Sequence, residues 1–142
     1  MKILIICTGN TCRSQMAEGF LKSIDPELEV YSAGTLAESA VNPYAVKAMA
    51  EIGIDISNQQ PESVAQYINQ AFDYVITVCD GAHEACPVFN GEVKKHLHIG
   101  FDDPADVKGS EDEVMPVYRR IRDEIRDSFY KFFKQLNHLD HE

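Results

Sequence analysis

Apolar runs that suit strands alternate with apolar residues at helical spacing along the whole chain. Two runs, Lys2–Ile6 and Phe72–Cys79, are mainly apolar, which is typical of strands buried on both faces of a parallel sheet. Glu27–Ser32 alternates apolar and polar residues, and Val93–Ile99 is the fourth extended segment. The pattern therefore predicts four strands separated by helices and loops.

Helix signals lie between these strands. Ser14–Ile24 carries apolar residues at helical spacing, and Asn42 followed by Pro43 is a strong helix start with Gly53 as a C-cap. Helices that follow strands in this way cover the faces of a parallel sheet. The pattern also predicts two shorter helices, over Pro61–Asn69 and Gly81–Cys86.

A capping box formed by Ser110 and Glu113 predicts the last helix, which Pro116 should kink or delay. Strands and helices alternate from end to end, without repeats or linkers. We therefore predict a single doubly wound α/β domain over residues 1–142, with a four-stranded parallel sheet flanked by helices. In such sheets, ligands bind beyond the carboxyl ends of the strands.

Composition narrows the class of partner. The 142 residues include 44% hydrophobic residues and carry a formal net charge of -10, which disfavours a nucleic-acid or anionic-membrane surface. A local site can still bind a small anion. The sequence has neither an 18-residue apolar run nor the pattern of a signal peptide, so we expect a cytoplasmic, monomeric protein.

The loop after the first strand carries the strongest chemical signal. Cys7 follows the strand, and five residues separate it from Arg13 at the start of the helix. Backbone N–H groups of such a loop and of the helix N-terminus converge on one point, which favours a tetrahedral oxyanion. Gly9 and Asn10 accept the left-handed backbone that this loop needs. The candidate oxyanion-binding residues are Thr8, Gly9, Asn10, Thr11, Cys12, Arg13 and Ser14.

Catalytic groups are expected at the same edge of the sheet. The field of the loop should hold Cys7 as a thiolate nucleophile, and the fork of Arg13 can bind two oxygens of the anion. Asp102 and Asp103 follow the fourth strand, where an acid could protonate a leaving oxygen. Cys79, which ends the third strand, should reach this edge too.

Cys79 and Cys86 raise a geometric question. With Asp80 as an N-cap, the segment between them is helical, and seven residues of helix separate the two thiols by about 10 Å along the axis. A disulfide needs Cα atoms closer than about 7 Å. These residues are therefore either two small apolar core residues or a pair that joins only when the helix unwinds.

Three other residues give weaker signals. Cys12 lies inside the loop and is predicted to be passive. His96 and His98 alternate along the fourth strand and so share a face, where a pair on the sheet surface is the preferred interpretation over a metal site.

Several motifs occur together and in register. They are C-T-G-N-T-C-R-S-Q-M-A-E-G, V-Y-S-A-G, N-P-Y-A-V-K-A-M-A-E-I-G-I-D-I-S-N, T-V-C-D-G-A-H-E-A-C-P and G-F-D-D-P-A. Together they resemble the thioredoxin-coupled arsenate reductases, which share the low-molecular-weight tyrosine phosphatase fold. The resemblance covers nearly the whole chain and includes the two distal cysteines.

What the resemblance implies is reduction of arsenate to arsenite by a thiol relay. Cys7 attacks arsenate, and Asp103 protonates the departing oxygen. Cys79 then attacks Cys7, Cys86 attacks Cys79, and thioredoxin reduces the resulting Cys79–Cys86 disulfide. The resemblance also implies a potassium site formed by Asn10, Glu18, Ser32 and Glu62, the last of which is usually Asp in such proteins.

Two alternatives share the same loop. A phosphatase acting on phosphotyrosine or another phosphomonoester needs only Cys7, Arg13 and Asp103, and residual activity of this kind is expected in a reductase. A non-catalytic oxyanion sensor needs no relay. Cys79 and Cys86 favour the reductase, because a phosphatase has no use for them.

Overall fold

The computed structural model describes the backbone of residues 1–140 and the side chains of residues 1–136. Four strands and four α-helices alternate along this part of the chain, with two 3-10 turns between them. The strands are β1 (Lys2–Cys7), β2 (Glu29–Gly34), β3 (Phe72–Thr77) and β4 (Val93–His98). The helices are α1 (Arg13–Ile24), α2 (Pro43–Ala50), α3 (Asp80–Ala85) and α4 (Glu111–Asp140), and the 3-10 turns are Val64–Gln66 and Pro104–Asp106.

The four strands form one parallel sheet in the order β2-β1-β3-β4. β1 is central, and residues 3–6 are completely buried, as the apolar run predicts. Parallel pairing brings Cys7 beside Gly34 and Ile6 beside Thr77 at one edge. The predicted fold class is confirmed, and the loop after β1 lies where such sheets bind ligands.

The long helix α4 packs against α1 and α2. Its buried stripe repeats at helical spacing and comprises Ile121, Ile125, Phe129, Phe132 and Leu136. The N–H and hydroxyl of Ser110 both donate to Glu113 Oε1, which is the glutamate half of the predicted capping box. Pro116 lies inside the helix and does not end it, so the predicted delay of the helix start is wrong.

Other predicted boundaries differ from the structure. β2 is shifted two residues toward the C-terminus, to Glu29–Gly34. The predicted helix Pro61–Asn69 is only a 3-10 turn, because backbone groups of Glu62 bond elsewhere: its N–H donates to Asn10 and its carbonyl accepts from Gly34. Within residues 1–140, no helix combines the length and apolar character needed to cross a membrane.

Candidate active site

The loop between β1 and α1, residues 8–12, forms a cradle at the N-terminus of a 12-residue helix. Asn10 has a φ of 56°, the left-handed conformation that the residue type predicts. Cys12, just before the helix, makes no side-chain cap hydrogen bond. The first N–H groups of α1 therefore keep their capacity to bind an anion, and the helix dipole favours negative charge there.

A second loop, residues 35–42, fixes the outer side of the cradle. Backbone N–H groups of Thr35, Leu36, Glu38 and Asn42 donate to the carbonyls of Cys7, Thr8, Gly9 and Thr11, at 2.8–3.1 Å. These bonds satisfy the carbonyl groups of the cradle and hold its backbone in one conformation. Sequence reasoning missed this support, because residues 35–41 follow no periodic pattern.

Asn10 ties the cradle to the protein interior. Its side chain is fully buried, and Nδ2 donates to Ser14 Oγ at 2.7 Å and to Ser32 Oγ at 3.0 Å. Its Oδ1 accepts from the N–H of Glu62 at 2.9 Å. Asn10 and Ser14, both predicted to bind oxyanion, thus support the cradle from behind.

The other predicted oxyanion residues line a cleft of about 260 Å³. Gly9 leaves room there, since a Cβ at that position would lie 2.5 Å from a carboxylate oxygen of Glu38. Glu38 and Leu36 were not predicted as part of the site. The lining residues are Cys7, Thr8, Gly9, Thr11, Cys12, Arg13, Leu36, Glu38, Asp103 and Ala105.

Asp103 is the aspartate that reaches the cleft. Its Oδ2 lies 3.4 Å from Arg13 Nη2, and its Oδ1 accepts from the N–H of Ala105 at 2.9 Å. Arg13 is further held by a 3.0 Å hydrogen bond to the carbonyl of Phe101. Asp102 points away and lies 3.8 Å from Arg120. An acid and a guanidinium are therefore placed on one side of the candidate anion site.

Two buried thiols meet at the base of the cleft. Cys7 Sγ lies 3.7 Å from Cys79 Sγ, although 72 positions separate the two residues in sequence. Cys79 Sγ also accepts from the Ala82 N–H at 3.4 Å and lies 3.3 Å from Thr8 Oγ1. Cys79, rather than the predicted Asp80, is therefore the N-cap of α3.

This geometry shifts the pKa values of the two thiols in opposite directions. The hydrogen bond from Cys7, followed by those from Thr8 and Ala82, lowers the pKa of Cys79 to about 5, against the opposing effect of burial. The pKa of Cys7 is raised, because Cys7 donates to Cys79 and is buried. The two thiols therefore titrate as one coupled pair, and the Cys7 thiolate stays a prediction.

Cys86 lies at the other end of α3, as its C-cap. It is half-buried, its pKa is raised by burial, and it lines a separate cleft of about 460 Å³ with Val88 and Phe89. Cys12 is buried in the cradle, where burial raises its pKa to about 12. All four cysteines are free thiols in this structure.

The side chains predicted to bind potassium do gather behind the cradle, but their donors and acceptors are already matched. Ser32 Oγ donates to Glu18 Oε1 at 2.6 Å, and Asn10 directs its NH₂ group, not its oxygen, toward Ser32. The oxygen of Asn10 accepts from a backbone N–H. The side-chain oxygens of Asn10 and Ser32 are therefore hydrogen-bonded within the protein in this conformation.

The carboxylates of Glu18 and Glu62 also take part in hydrogen bonds. Lys22 Nζ lies 2.5 Å from Glu18 Oε2, and the hydroxyl of Tyr67 donates to the carboxylate of Glu62. The Lys22 ammonium supplies a positive charge beside Glu18 in this arrangement, and the potassium site stays a prediction.

Comparison with known proteins identifies the family. The chain matches the model of the low molecular weight phosphotyrosine protein phosphatases over residues 2–141. The chain belongs to this family, and the cradle, the arginine and the aspartate lie in its one α/β domain.

Individual relatives fall into two functional groups. The chain is 51% identical over 124 residues to the arsenate reductase of Halalkalibacterium halodurans, which covers 87% of this chain and 88% of the relative. A thioredoxin-dependent arsenate reductase of Corynebacterium glutamicum has a TM-score of 0.69 at 26% identity, over 96% of this chain and 61% of that one. An arginine phosphatase of Geobacillus stearothermophilus has a TM-score of 0.78, also at 26% identity, over 99% and 97%. The resemblance inferred from the motifs is confirmed, and the fold alone is compatible with reductase or phosphatase activity.

Proposed function

We propose that the protein reduces arsenate to arsenite with three thiols and thereby serves arsenic detoxification. The observation that supports this reaction most directly is the 3.7 Å contact between the sulfurs of Cys7 and Cys79. Hydrolysis of a phosphoester needs one nucleophilic thiol, an anion cradle and an acid, and has no role for a second thiol in contact with the first. The 51% identity to an arsenate reductase supports the same choice of reaction.

In the first step, arsenate binds in the cradle with its oxygens toward the loop amides and Arg13. Cys79 accepts the proton of Cys7 across the sulfur–sulfur contact, and Cys7 attacks arsenic. Asp103 protonates the departing oxygen. The proton that Cys79 accepted then passes to Asp103, which restores the acid and leaves Cys79 as a thiolate. In net terms a Cys7–arsenic bond forms, one arsenic–oxygen bond breaks and the Cys7 proton leaves with water.

In the second step, the Cys79 thiolate attacks the sulfur of Cys7. The sulfur–arsenic bond breaks, and its electron pair stays on arsenic, which is reduced from the pentavalent to the trivalent state. A Cys7–Cys79 disulfide forms, and arsenite leaves. The reaction needs little movement of Cys79, because its sulfur already lies within van der Waals reach of Cys7.

In the third step, the Cys86 thiolate attacks Cys79 and releases Cys7. Cys79 and Cys86 lie at opposite ends of α3, so the helix has to unwind before their sulfurs can join. The dithiol of thioredoxin then reduces the Cys79–Cys86 disulfide. We place this cycle in the cytoplasm, where thiols are kept reduced, and with the enzyme as a monomer.

Arsenate-dependent oxidation of NADPH through thioredoxin reductase and thioredoxin tests this function. We expect wild type to turn over many times, and Cys86→Ser to stop after about one arsenite per protein. Lys95→Ala, an exposed change outside the cleft, is the control and should keep multiple turnover. Sustained turnover by Cys86→Ser would contradict the relay.

The same preparation tests phosphatase activity. Cys7, Arg13 and Asp103 should support slow hydrolysis of p-nitrophenyl phosphate, which Cys86→Ser should leave unchanged because Cys86 is absent from the cradle. Fast hydrolysis without arsenate-dependent turnover would identify the protein as a phosphatase instead.

A further inference from the structure

His98, the last residue of β4, contacts α3 at two points. Its Nε2 lies 3.3 Å from Asp80 Oδ1, on the first residue of the helix. Its ring also packs against the tilted ring of His83, one turn further along, with 4.4 Å between ring centroids and 39° between planes. One side chain of the sheet thus touches both turns of the short helix between Cys79 and Cys86.

The ring of His98 is itself fixed from below. Its Nδ1 lies 2.7 Å from Oγ1 of Thr77, a buried residue of β3. A neutral imidazole satisfies both contacts when the Thr77 hydroxyl donates to Nδ1 and Nε2–H donates to Asp80. Gly100 leaves the space that the ring occupies, because a Cβ there would lie 3.0 Å from Nε2.

Little else stabilises α3. The helix has six residues, far fewer than an isolated helix needs in water, and Ala82 is the only one that is buried. The N-cap of the helix is the sulfur of Cys79, which accepts from the Ala82 N–H. In the proposed cycle this sulfur leaves the cap position when Cys79 forms a disulfide with Cys86. The contacts to His98, one of them to the exposed carboxylate of Asp80, are therefore among the few that the wound segment makes.

We propose that His98 is a positioning residue that holds α3 wound and Cys79 directed toward Cys7, and whose contacts are released when Cys79 joins Cys86. This inference rests on the proposed relay for its place in the cycle. The His98 contacts exist only in the wound helix, so they stabilise the dithiol form relative to the Cys79–Cys86 disulfide. They keep α3 helical until Cys79 has formed its disulfide with Cys7.

A redox equilibrium without arsenate tests this role. In a full-length protein carrying Cys7→Ser and Cys12→Ser, Cys79 and Cys86 are the only thiols. Oxidised glutathione converts these two thiols to one disulfide and gives two reduced glutathiones. The constant for this exchange is measured in glutathione buffers by acid quenching, alkylation and mass spectrometry.

We expect His98→Ala to raise this constant about three- to tenfold, as the loss of one or two modest contacts implies. By the two-electron relation, this corresponds to a reduction potential lower by about 15–30 mV. Thr77→Val, which frees the ring while keeping the shape of the side chain, should shift it in the same direction. Lys95→Ala, an exposed change in the same strand, should leave it unchanged.

A residue that merely supports the fold would destabilise the dithiol and disulfide forms alike and leave the constant unchanged. Equal constants for the parent, His98→Ala and Thr77→Val would therefore overturn the role of His98 while leaving the relay intact. Absence of a Cys79–Cys86 disulfide in every protein, the parent included, would refute the relay and this inference together.

Discussion

The cradle and helix α3 each carry a reactive cysteine, but they are built in opposite ways. Four backbone hydrogen bonds from residues 35–42 stabilise the cradle, and the fully buried side chain of Asn10 connects it to the protein interior. α3 has six residues, one of them buried, and its N-cap is a sulfur. The first region is held by backbone and buried side-chain hydrogen bonds, whereas the second is held by a few contacts at its surface.

The difference follows from what each region does in the proposed cycle. An anion site stabilises its substrate best when its donors need no rearrangement. Cys79 has to exchange one sulfur partner for another, and segments that move in function are drawn from the least stable parts of a fold. Rigid anion binding and mobile thiol exchange are therefore separated between the β1–α1 loop and the β3–β4 connection.

The largest effect is expected in the rigid region. Arg13→Lys keeps the charge but loses the planar fork, so kcat/KM should fall at least about 100-fold for arsenate reduction and for hydrolysis of p-nitrophenyl phosphate alike. Arg120→Lys, which changes an arginine outside the cleft, should alter either value less than about twofold. Loss of only one of the two activities would show that they do not share the cradle.

The next largest effect is expected on the free energy of unfolding, when Asn10 of the cradle is replaced. Asn10→Ala should lower the free energy of unfolding by about 2–4 kcal/mol, because it removes buried hydrogen bonds and leaves Ala in a left-handed conformation. Asn10→Gly tolerates that conformation and should be about 1 kcal/mol less destabilising. Urea unfolding measures both, and equal losses would mean that backbone strain is absent at this position.

Much of this contrast could be predicted from the sequence, since the apolar run of β1, the cap of α2 and the Cys7–Arg13 spacing are local signals. The pKa shifts of the thiols could not be predicted from the sequence. Cys79 acquires its low pKa from Cys7 and Thr8, which are distant in sequence and arrive only through the β1–β3 pairing. The support from residues 35–42 was missed for the same reason, because it consists of backbone groups that carry no residue-type signature.

A smaller effect is expected at Cys79, the N-cap of α3. In wild type, thiolate absorbance near 240 nm should disappear as the pH falls, with a midpoint near 5, since the pKa of Cys79 is depressed in the folded protein. The depression of the Cys79 pKa adds stability that is lost as the pH falls through 5, whereas above the usual thiol pKa of about 8.5 the raised pKa of Cys7 opposes it.

Thr8→Val tests the cause of this depression. It removes the hydroxyl 3.3 Å from Cys79, so the midpoint should rise by the equivalent of about 1 kcal/mol, while Thr8→Ser keeps it low. An unchanged midpoint in Thr8→Val would exclude the hydroxyl as a donor to Cys79.

The identity of the disulfide formed in a single turnover tests the reaction most directly. Reduced protein is mixed with one equivalent of arsenate without any external reductant, quenched in acid, alkylated and mapped by mass spectrometry. We predict one arsenite and one Cys79–Cys86 disulfide per wild-type molecule, and a Cys7–Cys79 disulfide in Cys86→Ser. Four free thiols and no arsenite after mixing would contradict the reductase assignment.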